Sequence, residues 1–281
     1  MHRDTIGPAF DPRGVQLLPT VERELRHHMR RSVRKSWLVL AIAVLGLTAA
    51  SADLNNAPDY PTNEFHFTRM FYRSGGYGRG WGGSWTTDYP EAEYHFTMGV
   101  SRLTRVDIGE QARMLDITDG DTIFNYPWLY AVEVGRWYLD QHEADRLREY
   151  LLRGGFLMVD DFHGTRQWQG FVESMERVFP DRPIIEIPED DEVMHVLYDL
   201  NQRIQIPGIA PLRYGRTYEQ DGYTPHWRGI YDDDGRLMVA INFNMDLGDA
   251  WEHADTPFYP EPMTALAYRF AVNYVVYAMT H

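Results

Sequence analysis

Asp160 and Asp161 stand side by side at the end of an apolar run, Phe156 to Val159, with His163 two residues on and Gly164 closing the stretch. Paired carboxylates can divide general acid and general base work, hold a cation or, with a histidine, move a proton. Successive side chains of an extended strand point to opposite faces. One Asp is therefore expected to face a crevice, and the other to cap the helix starting near Thr165 or to accept backbone N–H groups.

A second stretch, Asn242 to His253, also follows an apolar run and packs six polar side chains into twelve residues. Its alternating Asn/Asp pattern is that of a calcium loop, but glycine falls at position seven instead of six and position twelve is His253 rather than Glu. No metal is expected on that ground, and two readings stay open: a loop satisfying its own backbone groups, and a loop lining a ligand. The catalytic candidates are Asp160, Asp161, Asp249 and Glu252. The candidate ligand-binding residues are His163, Asn244, Asp246, Trp251 and His253.

Other polar features carry less. His66, His95, His142, His195 and His226 lack metal-ligand spacing. The segment RSGGYGRGWGGSW, Arg73 to Trp85, departs from the dinucleotide-binding glycine pattern. It reads as a surface flap whose Tyr77, Trp81 and Trp85 offer stacking surfaces for a sugar or a partner. Tyr231 to Arg236 reads as turn chemistry.

Elements that must position these residues follow from periodicity. Phe65–Tyr72 reads as a first strand, and a helix is expected over about 90–103, with Asp88 as N-cap and Glu91 completing a capping box. Thr122–Asn125 reads as a short strand. Asp140 with Glu143 opens a helix on which Ala144, Leu147 and Leu151 share a face, ended by Gly154-Gly155. Phe156–Val159 suits a strand covered on both faces, and a helix follows with Trp168, Phe171, Val172, Met175, Val178 and Phe179 at helical spacing. A strand over Ile184–Ile187, a short helix over Asp190–Tyr198, a hairpin of Trp227–Tyr231 with Arg236–Phe243, and a buried helix over Glu261–Met279 complete the pattern. Strands alternating with helices indicate an α/β domain with a mainly parallel sheet.

The chain has 281 residues, 44% hydrophobic, and no cysteine. Thiol nucleophiles, zinc–thiolate sites and disulfides are excluded. Eight of the 27 basic and four of the 41 acidic residues lie in residues 1–52, so the remainder carries 19 against 37, a net charge of −18. Such a field repels nucleic acid. Lys35 is the sole lysine, which removes Schiff-base and Walker-type chemistry from residues 53–281.

Arg30, Arg31, Arg34 and Lys35 form a basic region, Trp37 to Leu47 an apolar one, and Ala50-Ser51-Ala52 a cleavage-type site. The expectation is a signal peptide cut after Ala52, with Met29 as the natural start and residues 1–52 outside the fold. Residues 53–281 then form one exported, periplasmic domain, touching a membrane only if the signal segment stays uncleaved.

Several segments together carry a resemblance: FTRMFY before the glycine-rich segment, WTTDYPEAEYHF, FNYPWLY, LREYLLRGGFLMVDDFHG, NFNMDLGDAWEHAD and the terminal NYVVYAMTH. From about Phe65 to His281 the chain resembles the bacterial family catalogued as domain of unknown function 4159. The resemblance implies a three-layer α/β sandwich, flavodoxin-like and similar to class I glutamine amidotransferase domains. It carries no assigned activity. Amidotransferases of that superfamily use a Cys at a strand-to-helix elbow, and its absence here excludes their chemistry.

The resulting expectation is a non-amidotransferase binding or scaffolding domain without cofactor, whose partner is a small-molecule or glycan ligand or an envelope protein. The alternative is a carboxylate-dependent hydrolase acting on a glycan.

Overall fold

Phe156 opens the central strand of a seven-stranded sheet, and the helices packed on its two faces explain why its run of apolar residues is unbroken. The computed structural model describes residues 61, 63–74 and 84–281. The expected signal segment, Tyr77 and Trp81 lie outside these.

In chain order the elements are β1 (Thr68–Phe71), β2 (Arg73–Ser74), α1 (Glu91–Leu103), β3 (Arg113–Asp116), β4 (Trp128–Val132), β5 (Trp137–Tyr138), α2 (Gln141–Leu152) and β6 (Phe156–Phe162). They continue with α3 (Gly164–Val178), β7 (Ile185–Glu186), α4 (Ile209–Leu212), β8 (His226–Tyr231), β9 (Leu237–Phe243), α5 (Leu247–Glu252) and α6 (Glu261–Thr280). The sheet order is β3-β1-β4-β6-β9-β8-β7. Its first five strands are parallel, while β8 and β7 add on antiparallel. Numbered among themselves along the chain, the five parallel strands lie in the order 2-1-3-4-5. β2 and β5 pair in a separate ribbon.

Alternation along each strand divides the core into two layers. Trp128, Tyr130, Phe156 and Met158 pack with Phe96 of α1, Trp251 of α5 and Phe270 and Tyr274 of α6. Leu129, Ala131, Leu157 and Val159 pack on the other side with Ala144, Leu147 and Leu151 of α2 and Phe171, Met175 and Val178 of α3. Both faces of β4 and β6 are therefore dry, as an all-apolar parallel strand requires. Burial of Phe270, Tyr274 and Val275 on α6 stabilises by roughly 1.5–3 kcal/mol each. Among the described residues no helix is long and apolar enough to cross a membrane.

The capping box at α2 forms as its sequence predicts, with Asp140 and Glu143 each accepting the other's backbone N–H at 2.9 and 2.8 Å. Three local expectations are corrected. Asp88 does not cap α1: its backbone is left-handed (φ 66°), Pro90 takes the N-cap position, and the carboxylate turns elsewhere. Thr122–Asn125 is a 3-10 turn, and the strand begins after Pro127, where aromatic residues can enter the core. Within Asp190–Tyr198 only Glu192–Met194 coils, again as a 3-10 turn. Of the two roles expected for one aspartate, the second holds: Asp221 and Asn244 take the Thr165 and Gly164 N–H groups at 2.9 and 2.8 Å, while Asp160 accepts the backbone N–H groups of Leu247 and Gly248.

Candidate functional site: a carboxylate cluster at the carboxyl edge

The two polar stretches meet. Asp160 Oδ2 accepts the N–H groups of Leu247 and Gly248 at 2.8 and 2.9 Å, with the Tyr130 hydroxyl at 3.3 Å, and the Asp161 N–H donates to the Met245 carbonyl at 3.1 Å. This places the end of β6 against the first turn of α5, beyond the carboxyl ends of the parallel strands. Ligands of open parallel sheets bind in that region.

Simple alternation would send the two aspartates to opposite faces, both of them covered, yet Asp161 acts electrostatically on the same acids as Asp160. The ladder breaks where they stand. Register with β9 shifts between Val159 and Phe162, and Asp161 takes a left-handed conformation (φ 50°). The irregularity re-aims one side chain, a common use of such bulges. Asp161 Oδ1 lies 3.0 Å from His163 Nε2. Burial, and next the positive charge of Arg136, push His163 down to about 4, so the ring is neutral at physiological pH.

α5 exists because Asp246 caps it, accepting the Asp249 N–H at 2.7 Å. Asp249 in turn accepts the Ile209 N–H through Oδ2 at 2.7 Å. The cluster packs onto bare backbone at two glycines. A Cβ at Gly208 would stand 2.7 Å from Asp246 Oδ2, 3.0 Å from Asp249 Oδ2 and 3.2 Å from Glu219 Oε1. One at Gly248 would collide with Asp88 Oδ2 and come within 2.7 Å of the Tyr130 hydroxyl.

The remaining predicted residues divide by role. Glu252 and His253 form the rim, with His253 Nε2 3.5 Å from both Asp249 Oδ1 and Glu252 Oε2. Trp251 is fully buried between Phe96 and Tyr130, a core residue beneath the site. Asn244 braces backbone: its Oδ1 takes the Gly164 N–H and its Nδ2 donates to the Thr224 carbonyl at 2.7 Å.

Sequence reasoning missed Asp88, Glu219, Glu133 and Tyr130. Asp88 carried a usable signal, since it follows a parallel strand's carboxyl end, but its spacing to Glu91 mimicked a cap. Glu219 sits in an irregular segment without periodicity. Arg69 positions Asp88: buried, it pairs with Glu93 and donates through Nη1 to the carbonyls of Trp85 and Thr87 at 2.8 and 2.9 Å.

Electrostatically the cluster is under-compensated. Burial pushes Asp160 up to about 7 despite two backbone N–H groups that favour its ionised form. Burial first, then neighbouring carboxylates, raises Asp88, Asp161 and Asp246 well above the usual range. Burial likewise raises Glu133, Glu219 and Glu252. Like charges this close cannot all ionise without a counter-charge. Among the described residues two groups present atoms near enough to hold a metal ion: Asp88, Asp246 and Asp249, and Asp249, Glu252 and His253. The arrangement can bind a cation, donate hydrogen bonds from protonated carboxyls, or supply a general acid.

A family model described as "Domain of unknown function (DUF4159)" matches residues 66–279. No curated protein matches the chain.

Proposed function

The chain belongs to the DUF4159 family, and from that premise we propose that it is a ligand-binding domain, without amidotransferase activity, whose ligand sits over the carboxylates at the carboxyl edge of β6 and β9. The observation that carries this reading is that the carboxylates are held, not free. Asp160 is fixed by Leu247 and Gly248, Asp246 by Asp249, and Asp249 by Ile209, all through backbone N–H groups. Such anchoring pre-organises a binding surface and lowers the ordering cost of association. The parallel-strand order 2-1-3-4-5 supports a flavodoxin-like sandwich, whose ligands sit at this edge.

Thermal-shift screening of the full chain against metal ions, sugars and cell-wall fragments tests the reading. A ligand that raises the melting temperature of the wild type but not of Asp246→Asn is expected. No response to any class, or equal responses in both proteins, would refute it.

One observation favours a second reading, a carboxylate-dependent hydrolase acting on a glycan. Asp160, pushed up to about 7, could serve as general acid beside the left-handed Asp161. Glycan cleavage that disappears in Asp160→Asn would select this reading over simple binding.

The basic, apolar and small-residue segments within residues 30–52 support export to the periplasm. N-terminal sequencing of the periplasmic form should then begin Asp53-Leu54-Asn55.

A further inference from the structure

We propose that Asp88, Asp246 and Asp249 hold a hard divalent cation of the calcium class, which would be the first ligand of the binding site described above and rests on that reading. Each of the three offers a carboxylate oxygen, and these oxygens lie within 4.8 Å of one another. Several protein carboxylates around one ion suit calcium, which takes six to eight oxygen ligands, whereas magnesium keeps several waters and takes only one or two carboxylates.

Proximity of acids alone would not suffice. The second observation is a pair of buried carboxylate oxygens without any hydrogen-bond donor, Asp160 Oδ1 and Asp88 Oδ2. Asp160 is 0% exposed, and its other oxygen is anchored on the Gly248 N–H. Asp88 Oδ2 lies against that same glycine, so both orphaned oxygens belong to one small neighbourhood. An unsatisfied buried carboxylate oxygen is costly, and either a proton or a metal ion removes the cost.

Among the described residues no cationic side chain is ion-paired with Asp88, Asp160 or Asp246, although Arg69 Nη2 nearby also has no hydrogen-bond partner. Arg69 is committed to Glu93 and to the carbonyls of Trp85 and Thr87, and His253 lies between Asp249 and Glu252. No lysine exists in residues 53–281 to supply an ammonium. The donor set is all oxygen, and Glu219 stands beside Asp246 and Asp249 at Gly208 as a further carboxylate. Such a set selects a hard cation over zinc or copper. The competing trio of Asp249, Glu252 and His253 shares Asp249 and, with its imidazole, suits a transition metal better.

Equilibrium dialysis of the chelator-stripped full chain against calcium chloride tests the proposal, with bound calcium measured by atomic absorption. Saturable binding of one equivalent is expected, weakened about tenfold or more in Asp88→Asn. Asp88 has no side-chain hydrogen bond to lose at Oδ2, so Asn should leave the circular dichroism and cooperative melt intact. Asp249→Asn, which keeps an acceptor for the Ile209 N–H, provides a second variant with the same expected loss. Absence of saturable calcium uptake by the wild type would overturn the proposal, as would unchanged uptake in both variants. Uptake abolished by His253→Gln but kept by Asp88→Asn would move the metal to the other trio and equally overturn it. A sugar or cell-wall fragment that stabilises a chain taking up no calcium would sink the cation and leave the binding reading standing.

Discussion

The two ends of the sheet treat aspartate in opposite ways. At the amino end of β6 and β9, every prominent acid has a guanidinium. Asp232 pairs with Arg236 at 3.0 Å, Asp181 with Arg148 at 2.8 Å and Asp233 with Arg182 at 3.0 Å. Arg236 also ties the hairpin to the carbonyls of Leu151 and Gly155. The Arg148 guanidinium holds Asp181 down at about 2. At the carboxyl end the same residue type is buried and crowded, Arg69 and Arg136 pair with Glu93 and Glu133 instead of with an aspartate, and Asp160 is pushed up to about 7. Among the described residues no arginine is ion-paired with an aspartate of that cluster. Acids with a guanidinium partner bind the scaffold together, while acids without one remain able to engage something from outside.

The largest break in this contrast would come from Arg69, the buried cation nearest the cluster. Arg69→Met leaves Glu93 as an uncompensated buried charge and frees the segment carrying Asp88. Denaturant unfolding should show a loss of about 3–5 kcal/mol. A change below about 1 kcal/mol would mean that the pair is dispensable and that Asp88 is positioned by other contacts.

At the paired end, Arg236→Ala removes the link between Asp232 and two backbone carbonyls. An expected loss of about 1.5–3 kcal/mol follows from charge-assisted hydrogen bonds in a mostly buried setting. Equal stability of variant and wild type would erase the claim that this end is structural.

Asp160→Asn sharpens the comparison by reversing the sign. The folded-state value of Asp160 lies above its unfolded value of about 3.9. Its stabilisation is therefore full below about pH 4 and lost as pH rises through about 7. Asn is neutral throughout, so without metal the variant should melt above the wild type at pH 8, by about 1 kcal/mol or more. The two melting curves should converge near pH 4. A variant less stable at pH 8 would show that the ionised carboxylate is a structural anchor.

The smallest effect is expected at Asp233, whose carboxylate is 90% exposed beside Arg182. Asp233→Asn should move the melting temperature by no more than the scatter between replicates, and less at high salt. A clear drop that persists in high salt would show this surface network to be worth more than its exposure implies.

Legibility in the sequence tracks how local each determinant is. The α2 capping box, the unbroken strand at Phe156 and the buried terminal helix depend on near neighbours and could be read directly. The family resemblance extended over the same region that the family model matches. The meeting of Asp160 with Asp246 and Asp249 was also readable, because parallel strands bring their carboxyl ends to one edge. Asp88 and Asp140 show where such reading stops. Both stand three residues before a glutamate at a helix start, yet only Asp140 caps. Asp88 is turned away by a left-handed backbone and by the clamp that Arg69 places on the preceding carbonyls, a contact from another strand. The ladder break at Asp161 and the approach of Glu219 to Gly208 likewise depend on contacts distant in sequence.

The margins of the sheet carry a different consequence. One edge strand, β7, is only two residues long and exposed at both, and β3 at the other edge has four, beginning with Arg113 and ending with Asp116. An incoming extended chain would find few backbone groups to zip onto at either margin, and charge at the ends of one. Among the described residues, the sheet's own margins thus offer a further chain little to extend.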